Sequence, residues 1–144
     1  MGLKINIPDW TPVAKGRART GQGRHYTPAR TRAAEQVIRL AAIQAIREQG
    51  WQMPDPGVPL QLDVAFCFPI PKATRKADVP RMAGAPRASK PDLDNLIKIL
   101  DALNGVVWPD DAQVCRISAV KRYDYKPGCV ITVEKIIGCE PKDK

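Results

Sequence analysis

Residues 60–68 read Leu-Gln-Leu-Asp-Val-Ala-Phe-Cys-Phe, with an apolar side chain at every second position. Alternation with a period of two predicts a β-strand with one buried face. Gln61 and Asp63 would point away from that face. The apolar face would carry Leu60, Leu62, Val64, Phe66 and Phe68. This is the clearest strand pattern in the sequence.

The N-terminal part of the chain predicts a strand, a loop and a helix. The strand is predicted by three alternating apolar residues, Leu3, Ile5 and Ile7. Residues 14–26 are rich in Arg and Gly and are interpreted as a loop. Thr27 favours the N-cap of the helix and Pro28 its first helical position. Gly50 is a typical helix end.

A second helix is predicted after residue 91. Asp92 is a suitable N-cap, and Asn104-Gly105 would end the helix. Its spacing predicts one apolar stripe. The stripe would carry Leu93, Leu96, Ile97, Leu100 and Leu103.

Two more strands complete the predicted fold. Residues 113–124 and 129–136 are typical of strands, and the turn Lys126-Pro127-Gly128 between them predicts a hairpin. The order strand, helix, strand, helix, strand, strand indicates an α/β fold with a mixed sheet packed against helices. The 144 residues suit one domain over 1–144, with a long basic, proline-containing loop at about 69–91 that is either functional or disordered.

The composition excludes several classes of protein. Hydrophobic residues make up 44% and charged residues 26%, which excludes fibrous and fully disordered chains. The longest stretch without a charged side chain is eight residues, whereas a membrane helix needs about 20 apolar residues. The N-terminus also lacks the apolar run of a signal peptide. We therefore expect a cytoplasmic protein with no membrane contact.

The cysteine pattern does not favour a zinc site or a disulfide. There is no C-x-x-C spacing, and His25 is the single histidine. In an intracellular protein such residues are expected to be reduced thiols. The cysteines are Cys67, Cys115, Cys129 and Cys139.

The net charge of +8 points to a polyanionic partner, most often nucleic acid, with a basic protein of no such role as the alternative. The charge is uneven. Residues 1–34 carry +6 and residues 70–90 carry +5, whereas residues 91–111 carry −4, from five aspartates and Lys98. A carboxylate cluster opposes polyanion binding unless a cation sits in it.

The acidic helix has two interpretations. Asp94, Lys98 and Asp101 share the face opposite the leucine stripe. In the ordinary interpretation Asp92 is a cap and Asp94–Lys98 an exposed ion pair worth roughly 0.2–0.5 kcal/mol. In the functional one, the acidic pair at residues 110 and 111 folds back against the helix start. Carboxylates would then bind Mg²⁺ beside a lysine in a positive field, which suits metal-dependent phosphodiester cleavage.

The residues around this helix also resemble a known family. Residues 90–114 read Lys-Pro-Asp-Leu-Asp-Asn-Leu-Ile-Lys-Ile-Leu-Asp-Ala-Leu-Asn-Gly-Val-Val-Trp-Pro-Asp-Asp-Ala-Gln-Val. This run resembles the signature of the RusA-type Holliday-junction resolvases, crossover junction endodeoxyribonucleases of bacteria and their phages. Residues 12–19 and 26–28 are similar to the N-terminal segment of that family. The long segment before Asp92 departs from its pattern.

The resemblance implies a specific activity. Family members are small α/β homodimers that bind four-way DNA junctions and resolve them by paired Mg²⁺-dependent nicks in recombination and repair, with Mn²⁺ a possible substitute. The catalytic, metal-binding aspartates of the family correspond to Asp92, Asp94 and Asp111, and its catalytic lysine to Lys98. Asp110 matches the other half of the acidic pair, with no assigned role.

The DNA contacts and the choice of substrate are less constrained. His25 is interpreted as a neighbour of the DNA or as incidental rather than as a general base. Two alternatives stay open: a nuclease for forks or flaps with the same site, and a non-catalytic protein that only holds branched DNA. The candidates for contacts to the phosphate backbone are Lys15, Arg17, Arg19 and Arg24.

Overall fold

The strand predicted at residues 60–68 lies inside a four-stranded mixed sheet. The computed structural model describes residues 2–16, 19–21, 24–26 and 28–137. Within them the sheet order is β1-β6-β4-β5, and β4 runs parallel to β5 but antiparallel to β6, which also pairs antiparallel with β1. The strands are β1 (Gly2–Pro8), β4 (Leu60–Pro69), β5 (Val114–Asp124) and β6 (Gly128–Lys135). The predicted α/β class with a mixed sheet is confirmed.

The predicted hairpin between the last two strands is wrong. Their tight connection does reverse the chain, but β4 lies between β5 and β6. Cys67 of β4 faces Gly128 on one side, and Pro69 faces Asp124 on the other. β4 is buried at every position of its apolar face and also at Cys67 on the opposite face. The turn residues predict that the chain reverses its direction, but they do not predict which strand lies next to β5.

Helix α1 (Ala29–Gln49) packs on the sheet through small side chains that permit a close approach. It begins one residue later than expected, because Pro28 is the N-cap residue and not the first helical one. Thr27, the predicted cap, lies outside the described residues. Gly50 ends the helix as predicted, with the left-handed φ of 68° that glycine tolerates best. The buried residues of the helix are Thr31, Ala34, Ile38, Ala42 and Ala45.

The segment 14–26, expected to be a loop, contains a small β-hairpin. Its strands are β2 (Arg19–Gly21) and β3 (Arg24–Tyr26), with Thr20 opposite His25. Three-residue strands are too short for an alternation to show in the sequence. The side chains of residues 17–27 lie outside the described part of the structure.

The expected loop at 69–91 is irregular for most of its length but is firmly docked. It contains the short helix α2 (Val79–Met82) and then runs antiparallel along the outer edge of β5, with Pro86 opposite Arg122. Backbone hydrogen bonds of 2.8 and 2.9 Å join Gly84 and Ala85 to Tyr123. These bonds use main-chain atoms of a segment interrupted by prolines. The segment therefore has no alternating apolar pattern from which the pairing could be predicted.

The second predicted helix is confirmed, but its geometry changes midway. Helix α3 (Leu93–Lys98) continues as a 3-10 helix over Ile99–Leu103. Three residues of the predicted stripe, Leu96, Leu100 and Leu103, are buried, while Leu93 and Ile97 are only partly buried. Ile99, which the predicted stripe left out, is also fully buried, because it lies three residues after Leu96 and four before Leu103 on the same helix face.

Of the three cysteines that the structure describes, two lie in the protein core. Cys67 and Cys129 are buried free thiols, and Cys115 is an exposed one. Burial, and secondarily the neighbouring Cys67, raises the pKa of the Cys129 thiol to about 12. Cys129 therefore stays protonated at neutral pH. Among the described ranges, no helix combines the length and the apolar character that crossing a bilayer requires.

Candidate active site

Asp92, Asp94 and Lys98 all lie on the solvent-exposed part of α3. Asp92 is the N-cap residue, yet its side chain makes no capping hydrogen bond. Lys98 Nζ lies 3.4 Å from Asn95 Oδ1, and no ion pair joins Asp94 to Lys98. The ordinary interpretation, with Asp92 as a side-chain cap and Asp94–Lys98 as an ion pair, is therefore wrong. Their polar atoms remain available to a ligand.

The chain leading into Asp92 is held by two basic side chains. Lys121 Nζ, from β5, donates to the carbonyl oxygens of Ser89 and Pro91 at 2.7 Å each. Arg87 Nη2 donates to the carbonyl oxygen of Lys90, also at 2.7 Å. Three successive carbonyl groups before Asp92 are thus fixed. The docked segment therefore positions the first candidate carboxylate.

Lys15 fastens the N-terminal segment to the same helix. Its Nζ lies 3.1 Å from Asp101 Oδ2 and 3.9 Å from Glu35 Oε2, and its backbone N–H donates to the carbonyl oxygen of Asn95. Asp101 is thus neutralised by Lys15 and stands apart from the other aspartates. A phosphate contact by Lys15 stays a prediction, and it would have to compete with this ion pair. The side chains of Arg17, Arg19 and Arg24 lie outside the described part.

The two aspartates of the second acidic pair have different surroundings. Asp110 caps the 3-10 helix Asp111–Gln113: its Oδ1 accepts from the N–H of Ala112 at 3.0 Å, and its own N–H donates to Gln113 Oε1. Asp111 Oδ1 instead accepts from the indole Nε1–H of Trp108 at 2.8 Å. Trp108 is 1% exposed, while Asp111 is exposed. Asp110 is used structurally, whereas Asp111 is an oriented carboxylate open to solvent.

The structure does not bring the three candidate metal ligands together. Among the described residues no group of three or more His, Cys, Asp or Glu side chains could hold a metal ion. Asp92 and Asp94 lie at the start of α3, and the turn with Trp108 and Asp111 follows the end of its 3-10 continuation. Helical rises put about 15 to 20 Å between these ends. One chain thus offers a pair of carboxylates and, separately, a single one.

The donor atoms nevertheless fit a hard divalent cation. Asp92 and Asp94 are exposed carboxylates two residues apart, and Mg²⁺ is usually bound by one or two carboxylates together with water and phosphate oxygens. The ligand atoms that Asp92 and Asp94 themselves offer are carboxylate oxygens. Lys98 completes a group that could bind a cation and a phosphate next to each other.

A cleft of about 750 Å³ opens beside Asp92. It is walled by residues 11–16, the start of α1, the end of β4 and the segment 87–95. Its basic side chains, Arg30, Arg87 and Lys90, come from distant parts of the sequence. Neither spacing nor the family signature singled out Arg30 or Arg87, because only the fold brings them together.

Comparisons with known proteins agree with the resemblance seen in the sequence. Residues 9–134 match the family Endodeoxyribonuclease RusA. The uncharacterized protein YqaN of Bacillus subtilis (strain 168) is 29% identical over 136 residues, which cover 87% of this chain and 91% of that protein. The family match includes every candidate residue of the acidic site. The chain therefore belongs to the RusA family of endodeoxyribonucleases.

Proposed function

We propose that the protein is a Mg²⁺-dependent endonuclease that resolves four-way DNA junctions by paired nicks, in recombination and repair. The observation that carries this proposal is the group Asp92, Asp94 and Lys98, exposed on one helix whose start is anchored by Lys121 and Arg87. Membership of an endodeoxyribonuclease family supports DNA cleavage, and the net charge of +8 supports a polyanionic substrate.

The chemistry divides among these side chains. A bound Mg²⁺ supplies a Lewis acid and a water of lowered pKa for hydrolysis of the phosphodiester. Asp92 and Asp94 would hold the ion, and Asp111 is the third candidate ligand. Lys98, one turn along the helix from Asp94, would stabilise negative charge on the phosphate oxygens. The hydrogen bonds of Lys121 and Arg87 anchor the backbone that leads into Asp92.

A homodimer reconciles the three aspartates with the geometry. Asp111 of the same chain lies at the other end of the helix from Asp92 and Asp94, so it cannot join their ion without a large rearrangement. In a two-fold dimer the same surface occurs twice, and each Asp111 can serve the carboxylate pair of the other chain. Two such sites would also match the two symmetry-related strands of a four-way junction.

The test is a cleavage assay on strands of the same sequence assembled into four-way, forked, flapped and linear duplex DNA. We expect paired nicks in the four-way junction with Mg²⁺ and little cleavage of the linear duplex. Preferential cutting of forks or flaps would favour the alternative branched-DNA nuclease. Tight junction binding with no cleavage of any substrate would favour the non-catalytic binding protein instead.

A further inference from the structure

The cleft beside Asp92 has a lining of two kinds. Arg30, Arg87 and Lys90 supply positive charge, and Asp92 is the sole acidic residue among the described ones that line it. The remaining wall is largely apolar or small and includes Pro12, Val13 and Phe68. Cationic groups beside an apolar wall match the two halves of a nucleotide, which has an anionic phosphate and a flat base.

Arg87 is held in place before any ligand arrives. Its guanidinium carbon lies 4.3 Å from the ring centre of Phe68 and 5.5 Å from that of Tyr123. Nη2 is bound to the carbonyl oxygen of Lys90, while the buried Nε–H has no acceptor among the described residues. A buried donor without a partner is unusual in folded proteins. Arg87 thus presents a planar, pre-oriented guanidinium, the group that best matches a phosphate.

The size of the cleft limits what can enter it. A base that remains stacked inside a duplex cannot reach a recess of about 750 Å³, but a nucleotide that has left its pair can. The Arg87 guanidinium lies over the buried ring of Phe68, so Arg87 lines the cleft as a cationic group. The half-buried apolar residues of the wall, such as Val13, are left for an unpaired base. The position of the cleft next to Asp92 places such a nucleotide beside the candidate metal site.

We propose that this cleft holds one unpaired nucleotide of the DNA strand, adjacent to the bond that is cut. Arg87 and Arg30 contact its phosphate, and the apolar wall receives its base. The proposal rests on the proposed function and deepens it. Freeing a base costs less where the continuous duplex is interrupted, so the cleft favours branch points over intact duplex.

The base contact is tested with a set of junctions in which each nucleotide near the cleavage position is replaced in turn by an abasic linker. We expect replacement at one position next to the cut to raise the KM of the wild-type protein about tenfold, with little effect elsewhere. Equal KM values at every position would overturn the proposal. Cleavage of any of these substrates, whether fast or slow, shows that the protein is a nuclease.

The phosphate contact is tested by binding of a short single-stranded oligothymidylate, measured by fluorescence anisotropy in Ca²⁺. Arg30→Met and Arg87→Met should each weaken binding about tenfold. Arg87→Lys should restore only part of the affinity, since lysine lacks the planar fork. Arg47→Met, exposed near the far end of α1, is the matched control and should bind as wild type does.

The two proposals fail in different ways. If Arg87→Met does not fold, Arg30→Met decides, because Arg30 is exposed. Oligothymidylate binding that is unchanged in Arg30→Met overturns the nucleotide cleft. If the wild-type protein cuts no DNA, the proposed nuclease falls, and the oligothymidylate measurements still decide whether the cleft binds a nucleotide.

Discussion

The indole N–H of Trp108 donates to Oδ1 of Asp111 over 2.8 Å, which joins a fully buried side chain to an exposed carboxylate. This bond leaves Oδ2 of Asp111 without a described partner and fixes how the carboxylate is turned. Hydrogen bonds behind a ligand commonly set the affinity of a metal site. Trp108 is therefore a positioning residue for Asp111.

Trp108→Phe should keep the core filled while removing the donor. We expect the Mg²⁺ concentration for half-maximal cleavage to rise about tenfold, with junction binding in the absence of metal unchanged. The matched control is Trp51→Phe, which loses an indole bond of 3.1 Å to the carbonyl oxygen of Val107. If both variants require the same Mg²⁺ concentration as wild type, Trp108 has only a packing role.

The carboxylate ligands of the proposed site predict which metal ions support cleavage. Cleavage should need Mg²⁺ or Mn²⁺ and stop when a chelator is added, and Zn²⁺ should not substitute, because zinc prefers nitrogen and sulfur ligands. The measurement is junction cleavage after dialysis against EDTA, followed by addition of each metal. Full activity in excess EDTA would remove the metal from the mechanism.

Asp94→Asn separates chemistry from binding. The amide keeps the shape of the carboxylate but loses its charge, so cleavage should fall by orders of magnitude. Junction affinity without metal should persist or increase, because a charge that repels phosphate has been removed. Asp63→Asn, at another exposed aspartate, on β4, is the control and should change neither quantity. Loss of binding in a folded Asp94→Asn protein would show that the site is assigned wrongly.

The dimer predicts complementation between inactive variants. If each site takes Asp92 and Asp94 from one chain and Asp111 from the other, a heterodimer of Asp94→Asn with Asp111→Asn has one intact site. Random exchange should then restore about a quarter of the wild-type nicking rate. A mixture of Asp92→Asn with Asp94→Asn has no intact site and should stay inactive.

The same model predicts the mass in solution. Sedimentation at micromolar concentration should give about twice 15.9 kDa. If heterodimers form but the mixture of Asp94→Asn and Asp111→Asn remains inactive, Asp111 does not complete the site of the other chain.

The sequence predicts helices and strands well where a periodic apolar pattern extends over many residues and its apolar side chains are buried. The alternation over residues 60–68 and the leucine spacing after Asp92 are both present in the structure. Neighbour relations were harder to predict, because the turn at residues 126–128 reveals a reversal but not that β4 inserts between β5 and β6.

The site shows the same division between local pattern and fold. Asp92, Asp94, Lys98 and Asp111 belong to one recognisable motif. Lys121, by contrast, acts on the carbonyl oxygens of Ser89 and Pro91 from another strand. No local pattern could reveal that contact, since it depends on how the proline-containing segment docks on the edge of β5.

The basic segments should make binding depend steeply on salt. Each phosphate that a basic side chain neutralises adds roughly −0.9 to the slope of log affinity against log salt for duplex DNA. If Arg17 and Arg19 contact phosphates, replacing both by Ala should flatten that slope by about one to two units. Binding should weaken alike for junctions of every sequence, because backbone contacts carry no base information.

Replacing Arg39 and Arg47 of α1 by Ala removes the same charge from another part of the chain and serves as the control. A salt titration in Ca²⁺ compares the two double variants with wild type. An unchanged slope in the Arg17 and Arg19 variant would mean that these arginines only add to the net charge. A loss confined to one junction sequence, with the slope intact, would instead show that these arginines read bases. The assignment of Arg17 and Arg19 to contacts with the phosphate backbone would then be incorrect.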